Sequence, residues 1–296
     1  MEFSLRTDKM TLTDYEIQNS LAKLEHFLLQ LDENINWHRI KKILEPLDPS
    51  RRNVAGRDSY EPLKMFKVML IQSWYDLSDP EMEFYLKTNL LFMHFCQFSI
   101  TESKPDHSTI CRWRNRFAES GLFDSIYQGI MDELHDLGLE VKHGKMVDAT
   151  LVTAHALVDS NGIVEGLSVT PANVHDTVMF PALLDKSPLS DGDTVCADKG
   201  YHSEKNKELL KQRKLNDQIM HKRKRNEPEN RQAIERNKRI AKQRYVVERT
   251  FGSLKRSYGW ARTRYIGLLK TTFYLQIRCL AFNIKRAMKV ISLSPV

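Results

Sequence analysis

"KMVDATLVTAHALVDSNGIVEGLSVT", residues 145–170, changes the grammar of the chain. Its β-branched runs are too short for helices, and Asn161-Gly162 is a dipeptide that closes hairpins because both residues tolerate positive φ. The stretch predicts three strands in a meander. Upstream, from about residue 12 to 138, the pattern is helical, with Leu21, Leu24, Phe27, Leu28 and Leu31 recurring at three- and four-residue steps. Ser78 followed by Glu81 reads as a capping box, and Asp106 as the N-cap of "HSTICRWRNRF". In that helix Ile110, Trp113 and Phe117 take the inner face while Arg112 and Arg116 share another, which suits a helix-turn-helix reader and equally an ordinary bundle helix. Downstream the spacing predicts a helix over 177–184, a strand ending at Ala197, a helix over 204–212, a short strand over 217–221, a polar stretch, and helices over 241–258 and 271–289. The chain thus divides into residues 1–140, all helical, and 141–296, α/β with a mixed sheet and flanking helices.

Charge divides it at a similar place. From Lys199 onward there are 26 Lys and Arg against 7 Asp and Glu, while residues 1–198 hold 19 basic and 31 acidic groups. A basic half points to a polyanion, most often nucleic acid, because neutralised phosphates release counterions. Cys96, Cys111, Cys196 and Cys279 lie far apart and suggest neither a disulfide framework nor a zinc site. No run reaches the length of a membrane span and no export signal is visible, so a cytoplasmic, nucleoid-associated protein is expected.

Three carboxylates stand where carboxylates are costly. Asp148 sits inside Met146, Val147, Ala149, Leu151 and Val152, and an ionised group there needs a partner or a cation unless it caps an edge strand. Asp198 ends the apolar run Val195-Cys196-Ala197, and Gly200 lets the chain turn away from it; strand-end aspartates also cap helices. On the helix "RYVVERTFGSLKR", Arg244, Glu248 and Lys255 border the apolar stripe Val247, Phe251, Leu254 and Tyr258. A surface ladder pairing Arg244 with Glu248 has the same spacing. Together, two strand aspartates and one helix glutamate offer hard oxygen ligands that suit Mg²⁺ or Mn²⁺, and two such ions about 4 Å apart drive in-line attack on a phosphodiester.

The order Asp148, Asp198, Glu248, with "ADKGY" around the second, and Arg244 and Lys255 set four before and seven after the third, resembles the DDE transposases of bacterial insertion sequences, families five and four. "SVTPANVHDT" and "YEPLKMFKVMLIQSWYDLSDPEMEFYL" are similar to the same group. The resemblance implies a ribonuclease-H-like catalytic domain over 141–296, a helical DNA-binding domain over 1–140, and Asp148, Asp198 and Glu248 as catalytic ligands of Mg²⁺ or Mn²⁺, two ions. It implies double-stranded DNA as partner, at element ends and target, and a homodimer or larger assembly that holds two ends together. Arg244 and Lys255 take the family's phosphate-contacting places; Arg249, Lys199, Tyr201, Arg112 and Arg116 are further DNA-contact candidates, and His175 with Asp176 candidates for support of the active site or for a helix cap. Trp260 could stack on a base or pack, and residues 222–225 follow a DNA backbone or stand solvated. Two departures stand out. Ala241 replaces a tyrosine frequent three residues before that arginine, and "DATLVTA" runs directly into "HALVDSNG" where relatives hold the first two strands tens of residues apart, which reads as an internal deletion. Three readings follow: an active transposase, a DNA-binding derivative without chemistry, and a nuclease that hydrolyses without joining.

Overall fold

The computed structural model describes residues 11–48, 60–139, 144–149, 154–170, 174–187, 189–223, 230–262 and 264–293. The chain folds into two compact units, Met1–Glu133 and Leu134–Val296.

The first unit is helical: α1 Leu12–Leu21, α2 Phe27–Asn34, α3 Trp37–Leu44, α4 Pro62–Tyr75, α5 Asp79–Thr88, α6 Leu90–Phe95, α7 His107–Glu119 and α8 Phe123–Asp136, whose last turn enters the second unit. Every residue of α4 from Pro62 to Trp74 except Lys64 is buried, so it forms the unit's centre. Lys67 lies within that centre, its ammonium 2.5 Å from Asp32 and 4.3 Å from the Trp37 ring, which satisfies a charge that could not stand there alone. The capping box at α5 forms as its sequence predicts, with Ser78 and Glu81 bonding each other's backbone, and Asp106 caps α7. Leu24 is the exception to the expected apolar stripe. It is 54% exposed, because the chain leaves α1 after Leu21 and restarts at α2, where the His26 ring accepts from the Leu28 N–H.

Ile110, Trp113 and Phe117 fill the inner face of α7 as their spacing requires. Between them Arg114 is also buried, held by Asp79 and Gln72. α6 and α7 are joined by residues 96–106, far longer than the three- or four-residue turn of a compact helix-turn-helix, so these two helices do not form one. The tight connection lies instead after α7, where Gly121 at φ 68° turns the chain into α8.

The second unit carries a five-stranded sheet: β1 Lys145–Ala149, β2 Ala154–Asp159, β3 Val164–Val169, β4 Thr194–Ala197 and β5 Asn216–Ile219, in the order β3-β2-β1-β4-β5. The meander β1-β2-β3 is antiparallel, closed by Gly162 at φ 83°, and β1-β4-β5 is parallel. β1 pairs directly with β2, Lys145 opposite Asp159 and Ala149 opposite His155, so the short connection leaves the sheet intact. Helices α9 Asp176–Leu184, α10 Glu204–Gln212, α11 Arg231–Ser257 and α12 Leu268–Leu293 complete the mixed α/β domain. Alternation assigns the faces. Val147, Leu157, Val195, Ala197 and Ile219 enter one core with Phe180, Leu183 and Leu184 of α9 and Leu210 of α10. Asp148 and Cys196, one residue out of phase, meet Arg244 and Gln243 of α11 on the other face. On α12, Asn283 is fully buried and bonds both the N–H and the carbonyl of Val164, occupying the outer edge of β3.

α11 begins ten residues before its apolar stripe does. Asn230 caps it by accepting from the N–H groups of Gln232 and Ala233, and the Arg, Lys, Gln, Glu and Ala that dominate its first ten residues are good helix formers, with Ile240 the first fully buried side chain of the helix. Among the described residues no helix is long and apolar enough to cross a membrane.

Candidate active site

β1 and β4 are parallel neighbours with Val147 opposite Ala197, so the next residues, Asp148 and Asp198, stand side by side where the strands end. Both turn toward α11. The Arg244 guanidinium reaches between them, with Nη2 3.0 Å from Asp148 and Nη1 3.6 Å from Asp198. Arg244 is buried, with its side chain 8% exposed against 21% for Asp148 and 46% for Asp198. Its Nη1 also lies 3.7 Å from the Met220 sulfur, and its Nε finds no hydrogen-bond acceptor among the described residues. A cation held this firmly by two carboxylates does not make the surface pair with Glu248 that an i, i+4 spacing allows.

Asp198 has a second task. It caps a 3-10 turn, Lys199–Tyr201, by accepting from the Lys199 N–H at 2.5 Å. Gly200 lies within that turn, and the reason for glycine differs from the sequence expectation: its φ is not positive, but an added Cβ would stand 2.7 Å from Asp176 Oδ2. The Asp176 carboxylate therefore leans over the turn that carries Asp198. Asp176 opens α9 and His175 caps that helix, its Nδ1 accepting from the Thr177 N–H, so His175 takes the capping role.

The turn ends on Tyr201, which is 1% exposed and packs on Phe180. It does not face solvent, so its candidacy as a DNA contact gives way to a supporting position. Its hydroxyl lies 3.0 Å from Nδ1 of His155, whose Nε2 is 3.4 Å from the Thr170 hydroxyl. Burial raises the Tyr201 phenol strongly, and the nearby Asp176, Asp148 and Asp198 carboxylates add to the rise while Arg244 opposes it. Burial pushes the His155 imidazole down, against the pull of Asp176 at 3.9 Å. His155 is thus a neutral hinge pin between β2 and the Asp198 turn. Nothing in its sequence surroundings distinguished it from a strand residue; only its position opposite Ala149 reveals it.

Glu248 lies one turn beyond Arg244 on α11 and is exposed, as are Lys199, Arg249 and Lys255. Arg249 donates to the Tyr245 hydroxyl at 2.8 Å and stacks over that ring. In the first unit, Arg112 is exposed and bonds the Ser108 and Thr109 hydroxyls, and Arg116 stacks on Trp113 at 4.6 Å. Trp260 is 1% exposed against Phe251, a core residue rather than a stacking platform. Lys222 and Arg223 are exposed; residues 224–225 lie outside the described residues.

Among the described residues, no group of three or more His, Cys, Asp or Glu side chains is close enough to hold a metal ion. Two aspartates do converge on one positive charge, and both supply hard oxygens, the donor chemistry of Mg²⁺ and Mn²⁺. Glu248, one helical turn from that charge and open to solvent, is the next carboxylate along α11.

Comparison with known proteins finds related domains. Residues 143–284 match the family model described as transposase DDE domain, and residues 16–116 match a second, described as transposase domain. The chain is 41% identical over 133 residues to the transposase for insertion sequence element IS1106 of Neisseria meningitidis serogroup B. That similarity covers 45% of this chain and 46% of the relative, so the chain spans about half the length of the curated relative it matches. No solved structure matches the chain. Residues 143–284 thus belong to the transposase DDE domain family and residues 16–116 to the accompanying transposase domain family.

Proposed function

We propose that the protein is a DNA transposase that binds the terminal inverted repeats of its element and catalyses phosphodiester hydrolysis and strand transfer. The observation that carries the reading is the placement of Asp148 and Asp198 at adjacent strand ends, converging on a single cationic group. Asp148, Asp198 and Glu248 would hold Mg²⁺ or Mn²⁺ as two ions, which when bound would activate a water or a 3′-hydroxyl and steady the leaving oxygen.

The chain's own groups do the rest. Asp198 is fixed by its bond to the Lys199 N–H and by the Tyr201–His155 contact beneath the turn. Asp176 presses on that turn at Gly200 and supports its position. Arg244 carries positive charge to the strand ends, where phosphate oxygens would gather, and the exposed Lys199, Arg249 and Lys255 would be further phosphate contacts. Residues 1–140 would serve as the domain that reads the element end, with Arg112 and Arg116 on α7 as its contacts, and residues 141–296 as the catalytic domain. Two ends must be held together, so the working form is a dimer or larger.

The connection of only four residues between Ala149 and Ala154 favours a second reading, in which the segment that relatives carry between these strands is lost and only DNA binding remains. One experiment decides. Terminal-repeat duplex and target plasmid are incubated with Mg²⁺ and either wild type or Asp198→Ala. Cleavage and joined products from wild type alone support the transposase. Cleavage without joining indicates a nuclease, binding without cleavage the derivative, and equal activity of both proteins removes the proposed site.

A further inference from the structure

The connection between α11 and α12 exposes apolar side chains in a basic part of the chain that lacks acidic residues. Ile266 is 96% exposed, Leu268 50% and Leu269 53%. From Arg249 to Val296 there are ten Lys and Arg and no Asp or Glu. Arg262, Arg264 and Lys270 flank the apolar tip and are exposed, and Lys255 and Arg256 close the last turn of α11 beside it in sequence.

The base of the connection is anchored. Trp260 is buried on Phe251 and its backbone N–H donates to the Leu254 carbonyl at 3.2 Å. The Tyr274 hydroxyl donates to the Gly259 carbonyl at 3.3 Å, and Arg278 donates to the Tyr258 carbonyl while stacking on Tyr274. Tyr265 packs on Tyr274, and the Thr271 hydroxyl donates to its carbonyl. Gly267, at φ 99°, then turns the chain so that Ile266 projects just before α12 starts.

An isoleucine left in water forgoes about 2 kcal/mol of burial. Held on an anchored turn and flanked in sequence by exposed cations, it has the chemistry of side chains that press between DNA base steps, where phosphates meet the cations and stacked bases meet the apolar tip. We propose that Ile266, backed by Leu268 and Leu269, is a wedge that enters a base step of bound duplex DNA, with Arg262, Arg264 and Lys270 on the flanking phosphates. A second copy of the chain is the poorer occupant, since its matching surface is equally cationic and acid-free. From Arg244 to Ser257 the rise along α11 is about 20 Å, so the connection leaves the end of that helix well away from the aspartates. The inference rests on the DNA-transposase reading and adds a place and a distortion to it.

The test needs no cleavage. A closed circular plasmid is relaxed by a metal-independent topoisomerase in EDTA with wild type, Ile266→Ala or Arg262→Ala/Arg264→Ala bound, and its topoisomers are resolved on gels; binding is measured in parallel by filter retention over a salt series. Wild type is expected to shift the topoisomers in proportion to the protein bound. Ile266→Ala should reduce that shift at least about threefold while changing binding less than about threefold, since the wedge distorts more than it attracts. The double arginine variant should bind more weakly, with a salt slope smaller by about 2, and keep its shift per bound protein. Equal shifts from wild type and Ile266→Ala, or binding by wild type without any shift, overturn the wedge and leave the transposase reading standing. So does loss of a dimer in sedimentation, or of binding to anionic phosphatidylglycerol vesicles, on Ile266→Ala. Failure of wild type to bind plasmid overturns both.

Discussion

Replacing Arg244 by methionine, similar in length and without charge, removes the cation that Asp148 and Asp198 share. Losing one partner of a fully buried ion pair costs about 3–5 kcal/mol. Here the arginine side chain is 8% exposed but the aspartates are 21% and 46% exposed, so water screens part of the repulsion that remains. The expected loss is about 2–3 kcal/mol. At roughly 2–4 °C per kcal/mol for a unit of this size, calorimetry of the full chain should show the transition of the α/β unit lowered by about 5–10 °C. A double-mutant cycle isolates the contact: Asp148→Asn should cost less in the Arg244→Met background than in wild type, with a coupling of about 1–2 kcal/mol. Stability unchanged within about 0.5 kcal/mol, together with zero coupling, would refute the placement of Arg244 between the strand ends.

Three further outcomes follow from the site and its supports. Gly200→Ala puts a Cβ 2.7 Å from the Asp176 carboxylate, which is 41% exposed and can swing aside, so denaturation should show a loss under about 1 kcal/mol while Mg²⁺-dependent cleavage falls about tenfold as the Asp198 turn shifts. His155 is held below its ordinary value by burial, so the unfolded chain takes up its proton first as pH falls, and the histidine's contribution is full above about pH 6.5 and lost below it. His155→Gln should flatten the fall in melting temperature between pH 7 and pH 5, with a remainder from His202, which burial shifts the same way; an unchanged slope would contradict the neutral pin. Ser78→Ala should cost about 1 kcal/mol through the lost capping box of α5, measured by urea denaturation.

The meander was legible because strand alternation and Asn161-Gly162 are local signals, and the structure places its turn there. The parallel pairing of β1 with β4 was not, since it joins residues some fifty apart; once known, it places Asp148 beside Asp198 with no further assumption. Periodicity identified the core half of α11 and missed its first ten residues, where Ile240 is the one fully buried side chain and the apolar positions are too few to mark a stripe. It also merged two helices across Leu24, because a three- and four-residue spacing persists through the break that His26 caps. Gly200 was legible as a necessary glycine but for the wrong cause, steric room for Asp176 being a tertiary fact. Arg244 was read as a partner of Glu248 or of phosphate, and its bridge between aspartates required the sheet. His155, Tyr201 and Trp260 show the same limit: composition names the side chain, while burial decides between contact and support.

The central claim is that Asp148, Asp198 and Glu248 hold one divalent-ion centre, and iron-directed backbone cleavage tests it most directly. Fe²⁺ loaded in place of Mg²⁺ and treated with ascorbate and peroxide cuts polypeptide within reach of the bound ion. The account predicts cuts beside all three residues in the 296-residue chain, competed by Mg²⁺ and abolished by Asp198→Ala. Cuts clustered elsewhere, or a pattern indifferent to Asp198→Ala, would contradict it.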